Sequence, residues 1–342
     1  MVWAWLVPVN GRVHTEPTGE PETKTDFSAT PWRFTMTTPA CAAPAVHVGP
    51  DPVPVLLEAV RAGGGRVVPL AEAEAIIYFG NDDPAEVDGM IHEGIRWVQL
   101  PHAGVERWAD AGVIRAQPVF TAATGSYGEA VAEHALALML AAARGLHRLA
   151  RSREWGDGRT REFAGSTVAV VGCGGIGRSL IRLLEPFGCR ILAVSDSGAV
   201  PGAERTVARA AFREVLADAD FVVAAAPTTP DTRGMFGAAE FALMRRDAWL
   251  VNVARGGLVV TADLVDALKN GTIDGAALDV TDPEPLPAEH ELWDLENALI
   301  TPHCANPRSS YWRGLAERVE ANVAGFAAGR PLAGAVTPGR GF

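Results

Sequence analysis

Lysine is almost missing from this chain. Lys24 and Lys269 are the only two, and arginine supplies the rest of the 30 basic residues. With abundant alanine, that bias reads as a GC-rich genome, not as a binding signature. Against 41 acidic residues, the formal net charge is −11. A surface of that sign disfavours nucleic acid and anionic membranes as partners. Long apolar runs are also missing. None reaches the ~20 residues that cross a bilayer, and the apolar start at 1–7 has no basic stretch of the kind that opens a secretory leader. Cysteine is scarce: Cys41, Cys173, Cys189 and Cys304 show neither CxxC nor metal-ligand spacing. Neither a metal site nor a disulfide framework is expected, and a reduced, cytoplasmic compartment is the simplest reading.

What remains is ordinary globular composition, 48% hydrophobic and 21% charged over 342 residues, enough for two domains with sizeable cores. Residues 1–42 stand apart as an irregular extension rich in Pro, Thr and Glu, with Met36 as a second candidate start. From residue 45 an α/β alternation begins. Strands are expected at 45–48, 66–69, 75–79 and 97–100, with a helix at 52–62 ended by Gly63-Gly64-Gly65. A helical period covers 125–149, and a polar linker covers 151–161. The pattern then restarts, with strand-like runs at 167–171, 190–194, 221–225, 249–253, 275–279 and 298–301. That makes a six-stranded, mostly parallel sheet, with a last helix at 310–328 beyond it.

The restart is the most informative stretch. The apolar run Thr167-Val168-Ala169-Val170-Val171 leads into Gly172-Cys173-Gly174-Gly175-Ile176-Gly177 and then a helical segment. Strand, glycine turn and helix together are the fingerprint of a dinucleotide site. The first glycine makes the tight turn, the second lets backbone approach a pyrophosphate, and the third lets helix pack on strand. Free N–H groups at the helix start then face the phosphates. Asp196 lies 19 residues after Gly177, near the spacing expected of an acid for the ribose hydroxyls.

Other polar residues fall just past expected strand ends, where open parallel sheets bind ligands. Arg255, before Gly256-Gly257, carries a planar guanidinium able to grip a carboxylate bidentately. Asp279, Asp282 and Glu284 offer acids to orient a histidine or bind a cofactor amide. His303, in Thr301-Pro302-His303, is the side chain suited to proton exchange near neutral pH. Singly, each also reads as an ordinary surface or structural residue. Among the other histidines, His102 and His134 alone stand near candidate site segments, and Cys304 reads as a small apolar residue without a base to activate it.

Taken together these blocks resemble the D-isomer-specific 2-hydroxyacid dehydrogenases, the group of phosphoglycerate and D-lactate dehydrogenases and glyoxylate/hydroxypyruvate reductases. The likeness covers about 45–332. It is carried by Val251-Asn252-Val253-Ala254-Arg255-Gly256-Gly257, Gly275-Ala276-Ala277-Leu278-Asp279-Val280, Asp282-Pro283-Glu284-Pro285-Leu286-Pro287 and Thr301-Pro302-His303, with Pro227-Thr228-Thr229-Pro230-Asp231-Thr232 and Val131-Ala132-Glu133-His134. The resemblance implies two Rossmann-like domains, a nucleotide-binding domain at 148–301 inserted into a smaller flavodoxin-like substrate domain at 43–147 and 302–342. It implies an NAD(P)-dependent 2-ketoacid reductase and a homodimer. Arg255 would bind the substrate carboxylate, His303 would be the acid/base and Glu284 would pair with it. Ala103 and Gly104 would supply substrate-loop backbone. Cofactor contacts would come from Gly172, Gly174, Gly175, Ile176, Gly177, Ser195, Asp196, Pro227, Thr232, Val253, Ala254 and Asp279, the last near the nicotinamide amide. The substrate's side chain would meet Phe79, His102 and the C-terminal segment.

The chain departs from the family pattern twice. The usual acid position falls on Ser195, with Asp196 one residue later, and no arginine directly follows; the nearest are Arg205 and Arg209. NAD is the expected coenzyme, with NADP open. The segment Cys304-Ala305-Asn306-Pro307 lacks the common glycine-rich form. Two other readings share the fold: a cofactor-sensing scaffold of the corepressor type, and a formate dehydrogenase, whose chemistry has no need of a carboxylate-paired histidine.

Overall fold

The computed structural model describes residues 43–153, 155, 158 and 160–338. The expected extension at 1–42 lies outside them. Two parallel sheets organise the rest. The first joins β1 (Ala45–Pro50), β2 (Arg66–Val67), β3 (Ala75–Phe79), β4 (Trp97–Gln99) and β5 (Val119–Thr121) in the order β2-β1-β3-β4-β5, the doubly wound order of flavodoxin-like sheets. The second joins β6 (Thr167–Val171), β7 (Arg190–Val194), β8 (Arg205–Val207), β9 (Phe221–Ala224), β10 (Trp249–Asn252), β11 (Gly275–Leu278) and β12 (Ala298–Ile300) in the order β12-β11-β10-β9-β6-β7-β8.

These strands read as continuous apolar runs because both of their faces are buried. Alternate residues feed opposite cores. Ala169, Val171, Leu192, Val194, Val222 and Ala224 face one side of the second sheet. Val168, Val170, Ile191, Ala193, Phe221 and Val223 face the other, against the helix Gly128–Ala143. In the first sheet Val46, Val48, Ala75 and Ile77 face one core and Ile76, Tyr78 and Val98 the opposite one.

The second sheet has seven strands, not the six expected. The extra one, β8, has three residues, two of them polar, and lies at the sheet edge beside β7. No apolar run marks it. The helical period expected over 125–149 also divides. Gly145, at φ +58°, ends the helix Gly128–Ala143 and starts a separate turn, Leu146–Leu149.

The described residues begin and end in the first unit, so the seven-stranded unit interrupts it. After β12, the helix Arg308–Ala327 returns to pack on the helix Pro54–Ala62. Behind it, the Ala122 amide donates to Gly334 O and the Val336 amide to Phe120 O, closing the tail on β5. The connecting helix Gly128–Ala143 meets the helix Gly175–Leu184 where neither partner has a side chain. A Cβ on Gly128 would lie 2.7 Å from the Gly175 carbonyl carbon.

Candidate active site

The order of the second sheet reverses at β6, which has β7 on one side and β9 on the other. A ligand crevice forms at such a switch point, outside the carboxyl ends of the strands. The glycine turn sits there. Gly172 holds φ +98°, and a Cβ on it would strike the Ala226 backbone at 2.5 Å. Gly177 is equally constrained, with a Cβ 2.2 Å from Gly172 O. Gly174 has nothing within 4 Å of its Cβ position. Two glycines therefore serve the fold, while Gly174 leaves an open cradle at the N-terminus of the ten-residue helix Gly175–Leu184, which suits a pyrophosphate. Ile176 is half-buried beside it.

At the end of β7, Ser195 Oγ lies 2.9 Å from Ser197 Oγ, and Asp196 is exposed. Its Oδ1 accepts the Arg209 amide at 2.8 Å and its Oδ2 lies 3.3 Å from Arg209 Nε. In the loop after β9, Pro227 is exposed and Thr232 is 4% exposed. Thr232 Oγ1 donates to Pro227 O at 2.7 Å and accepts the Thr229 amide at 2.8 Å. Thr232 thus staples the loop.

Arg255 stands three residues past β10. Asn252, fully buried at the strand end, accepts the Ala254 amide through Oδ1 at 3.1 Å and donates through Nδ2 to Arg255 O at 2.9 Å. Val253 and Ala254 are buried between them. Gly256 is indispensable to the next turn: a Cβ there would lie 1.9 Å from Thr281 O. Its absence lets the β10 loop press on the segment leading to Glu284. Arg255 Nη1 donates to Ala254 O at 2.7 Å, and Nε lies 3.3 Å from Glu106 Oε1. That Glu106 oxygen is buried without a hydrogen-bond partner among the described residues, so the pair is ionic in distance but not in hydrogen-bond direction. Gly104, in the loop after β4, lies directly against both groups. Its Cβ would be 2.0 Å from Arg255 Nη2 and 2.5 Å from Glu106 Oε2. The Ala103 carbonyl accepts Thr124 Oγ1 at 3.3 Å. The first sheet thereby supplies one wall of the site and the second sheet the other.

His303 has φ +49°, rare for a residue with a side chain. Its amide donates to Asp279 O at 2.8 Å, and its Nδ1 lies 2.6 Å from Glu284 Oε1, both side chains being about half exposed. The turn that carries it is fastened by Asp279, 1% exposed at the end of β11. Asp279 Oδ1 accepts Thr301 Oγ1 at 2.6 Å and the Cys304 amide at 2.9 Å, and Oδ2 accepts the Ala305 amide at 3.0 Å. His134 Nε2 lies 3.0 Å from Thr301 Oγ1 and 3.4 Å from Asp279 Oδ1. Burial alone would push this carboxyl up. The hydrogen bonds from His134, Thr301 and the two amides outweigh it and hold Asp279 well below the usual carboxylate range. The carboxylate expected near a cofactor amide thus finds its partners within the protein. Partial burial and the Asp279 charge push the Cys304 thiol up, against a nucleophilic role.

The aromatic surroundings gather as well. The His102 ring lies 6.1 Å from Tyr311 and its Nε2 2.9 Å from Asp82, while Phe79 lies 4.9 Å from Trp312. Asn252, Glu106 and Thr301 were not singled out from the sequence, and Arg209 was marked only as one of the nearest arginines after Asp196. Only the position of Asn252, at a strand end, hinted at its part.

Comparison with known proteins assigns the family. Residues 136–305 match the model of the D-isomer specific 2-hydroxyacid dehydrogenase NAD-binding domain. A glycerate dehydrogenase of Methylorubrum extorquens is 34% identical over 240 residues, 65% of this chain and 73% of that protein. The chain belongs to the D-isomer specific 2-hydroxyacid dehydrogenase family. Among solved members, the NADPH-dependent glyoxylate/hydroxypyruvate reductase of Sinorhizobium meliloti, in complex with NADP and sulfate, superposes with a TM-score of 0.73 at 30% identity, covering 87% of this chain and all of that one. A family member from Xanthobacter autotrophicus, in complex with NADPH and MES, gives 0.75 at 26% identity, covering 88% and 100%. This dehydrogenase is accordingly an NAD(P)-dependent oxidoreductase of 2-hydroxyacids. No helix among its described residues is long and apolar enough to cross a membrane.

Proposed function

We propose that this dehydrogenase acts mainly as a reductase of small 2-ketoacids, giving the D-2-hydroxyacid. The single observation that carries this is the His303–Glu284 pair at 2.6 Å, on the same sheet edge as Arg255. When bound, the nicotinamide coenzyme supplies the hydride to substrate C2 and takes it back in the reverse direction. Gly174 and the helix start would hold its pyrophosphate, with Asp196 at the ribose. Arg255 binds the substrate carboxylate with the donors its fork keeps free of Ala254 O, and the Ala103-Gly104 backbone closes over the other side. His303 Nδ1–H donates to the Glu284 carboxylate, which leaves Nε2 to give a proton to the carbonyl oxygen in reduction and remove it in oxidation. Arg255 and the imidazolium together stabilise the charge developing on that oxygen. Asp279 serves the site from behind, as the anchor of the His303 turn.

The pairing of a histidine with a carboxylate favours hydroxyacid chemistry over formate oxidation and over a purely sensing role. A cytoplasmic setting and a homodimer belong to the same proposal. The first is supported by the absence of CxxC or disulfide-type cysteine spacing in the sequence and the second by the family resemblance, and sedimentation of the purified protein tests the dimer. The reaction is tested by following NADH and NADPH absorbance with glyoxylate, hydroxypyruvate, pyruvate, 2-ketobutyrate and a bulky aromatic ketoacid. Turnover that falls by roughly 10²–10⁴ in His303→Ala is the expected result for a positioned acid/base. Near-normal turnover in the folded variant would overturn the assignment.

A further inference from the structure

A cluster behind the His303 turn carries a donor set that the proposed reaction does not use. His134 comes from the helix Gly128–Ala143, Asp279 from the end of β11 and Cys304 from the turn after β12. Cysteine spacing does not show the cluster, because its members lie far apart in the chain. One nitrogen, one oxygen and one sulfur lie within 4.8 Å of one another. His134 Nε2 and Asp279 Oδ1 are 3.4 Å apart, with the side chains 21% and 1% exposed. Zinc holds such ligands at about 2.0–2.3 Å in a tetrahedron, which sets any two of them about 3.3–3.6 Å apart. The nitrogen–oxygen edge already has that length. The sulfur has to close from at most 4.8 Å to about 3.6 Å, and Cys304 is exposed, so its side chain has room to swing. The Thr301 hydroxyl now bridges the edge, donating to Asp279 Oδ1 at 2.6 Å and lying 3.0 Å from His134 Nε2. An ion would make that bridge instead. Asp279 would keep the Cys304 and Ala305 amides, and the fourth position would open to water on the exposed side of Cys304.

We propose that His134, Asp279 and Cys304 form a binding site for a divalent cation of the zinc class, and that its occupation switches the reductase off. The donors choose the ion. Imidazole and thiolate suit zinc and its softer relatives, whereas magnesium and calcium prefer oxygen alone. The charges balance as well. The Cys304 S–H proton passes to solvent as the metal–sulfur bond forms, so carboxylate and thiolate together match a charge of two. His134 stays neutral, with its ring proton on Nδ1 and the Nε2 lone pair on the ion. The switch follows from adjacency. Removing the Thr301 hydroxyl from Asp279 undoes one fastener of the turn, and drawing Cys304 toward β11 displaces His303, the residue before it. This second half rests on the reading of His303 as the acid/base; the site itself does not.

The test begins with binding, independent of turnover. The wild type, Cys304→Ser, His134→Gln and His303→Ala are stripped with a chelator, checked for folding by circular dichroism, and titrated with Zn²⁺ by calorimetry. A parallel titration with Cd²⁺ follows the ultraviolet charge-transfer band of a cadmium–thiolate bond. The wild type is expected to take one ion per chain with micromolar or tighter affinity and to show the band. Cys304→Ser should abolish the band, and both it and His134→Gln should weaken binding by ~100-fold or more, the upper end of what even an outer-shell partner is worth. His303→Ala should still bind. Added Zn²⁺ should abolish wild-type turnover of glyoxylate, while Cys304→Ser keeps its basal turnover and tolerates at least ~10-fold more of the ion. A wild type that binds no Zn²⁺ overturns the proposal, as does a band that survives in Cys304→Ser. Binding lost in His303→Ala but kept in Cys304→Ser overturns it too, by placing the ion on the His303–Glu284 pair. Zn²⁺ bound through Cys304 without loss of turnover overturns the switch. A metal-free wild type that reduces no ketoacid overturns the reductase reading instead, and the cadmium band still judges the site.

Discussion

Gly104→Ala is the sharpest single probe of the substrate site. The new methyl would lie 2.0 Å from Arg255 Nη2 and 2.5 Å from Glu106 Oε2, where ordinary contact begins near 3.4 Å. The guanidinium has to retreat by about 1.4 Å to restore that contact. Both struck atoms are tips of flexible side chains, so the backbone need not move, and stability should change by no more than about 0.5 kcal/mol. The binding geometry is less forgiving. A misplacement of about 1 Å can cost roughly 10²-fold in rate, and a hydrogen bond to a charged group is worth about 1.5–3 kcal/mol. We expect kcat/KM for a 2-ketoacid to fall roughly 10- to 100-fold, chiefly through KM, with coenzyme affinity unchanged. Steady-state kinetics on glyoxylate and hydroxypyruvate, with a thermal melt and a coenzyme titration, separate these effects. A stable variant with wild-type kcat/KM would show that Arg255 does not hold the substrate from its present position.

Three further outcomes follow from the same contacts. Gly174→Ala should leave the melt unchanged, since its Cβ meets nothing, yet weaken coenzyme binding, whereas Gly177→Ala should lower the melt itself because its Cβ meets backbone at 2.2 Å; equal melting of the two variants would contradict the division of labour within the glycine turn. Asp279→Asn should cost about 1–3 kcal/mol at neutral pH. Because the folded carboxyl lies below its unfolded value, its stabilisation is fully present above the unfolded pKa of about 4 and is lost as pH falls toward the folded one. The gap between wild type and variant in urea melts should therefore narrow from pH 6 to pH 3, and a gap that widened would refute the anchor. Glu284→Gln should lower kcat roughly 10- to 100-fold, the worth of one charge-assisted hydrogen bond, without changing coenzyme affinity; unaltered kcat would detach Glu284 from His303.

The sequence carried the architecture where burial left a periodic trace. Strands such as β6 and β9 are covered on both faces and therefore appear as unbroken apolar runs. Strand β8 escaped because an edge strand of three residues buries too little to leave such a run. Arg255, Glu284 and His303 could be picked out because each follows a strand end in a short block of fixed spacing. Their neighbours could not. The Arg209–Asp196 and Arg209–Asp231 contacts join loops 13 and 22 residues apart, and Glu106 reaches Arg255 across the two sheets. Such contacts depend on where loops return in space, which no local pattern encodes. Asp279 showed the complementary difficulty: its block marked it for the site, but only its burial revealed that its partners are the turn behind His303.

That anchoring has a mechanical consequence. His303 is tied through its amide and through Asp279 to β11, on the same sheet whose β6 carries the glycine turn. The proposed proton donor and the proposed coenzyme cradle therefore share one chassis. Gly104 and Ala103 ride on the other. A change in the angle between the sheets would open or close the grip on a substrate while leaving the spacing of proton donor and coenzyme cradle untouched. Entry and release can thus be varied, by loop changes on the smaller unit, without retuning the chemical step.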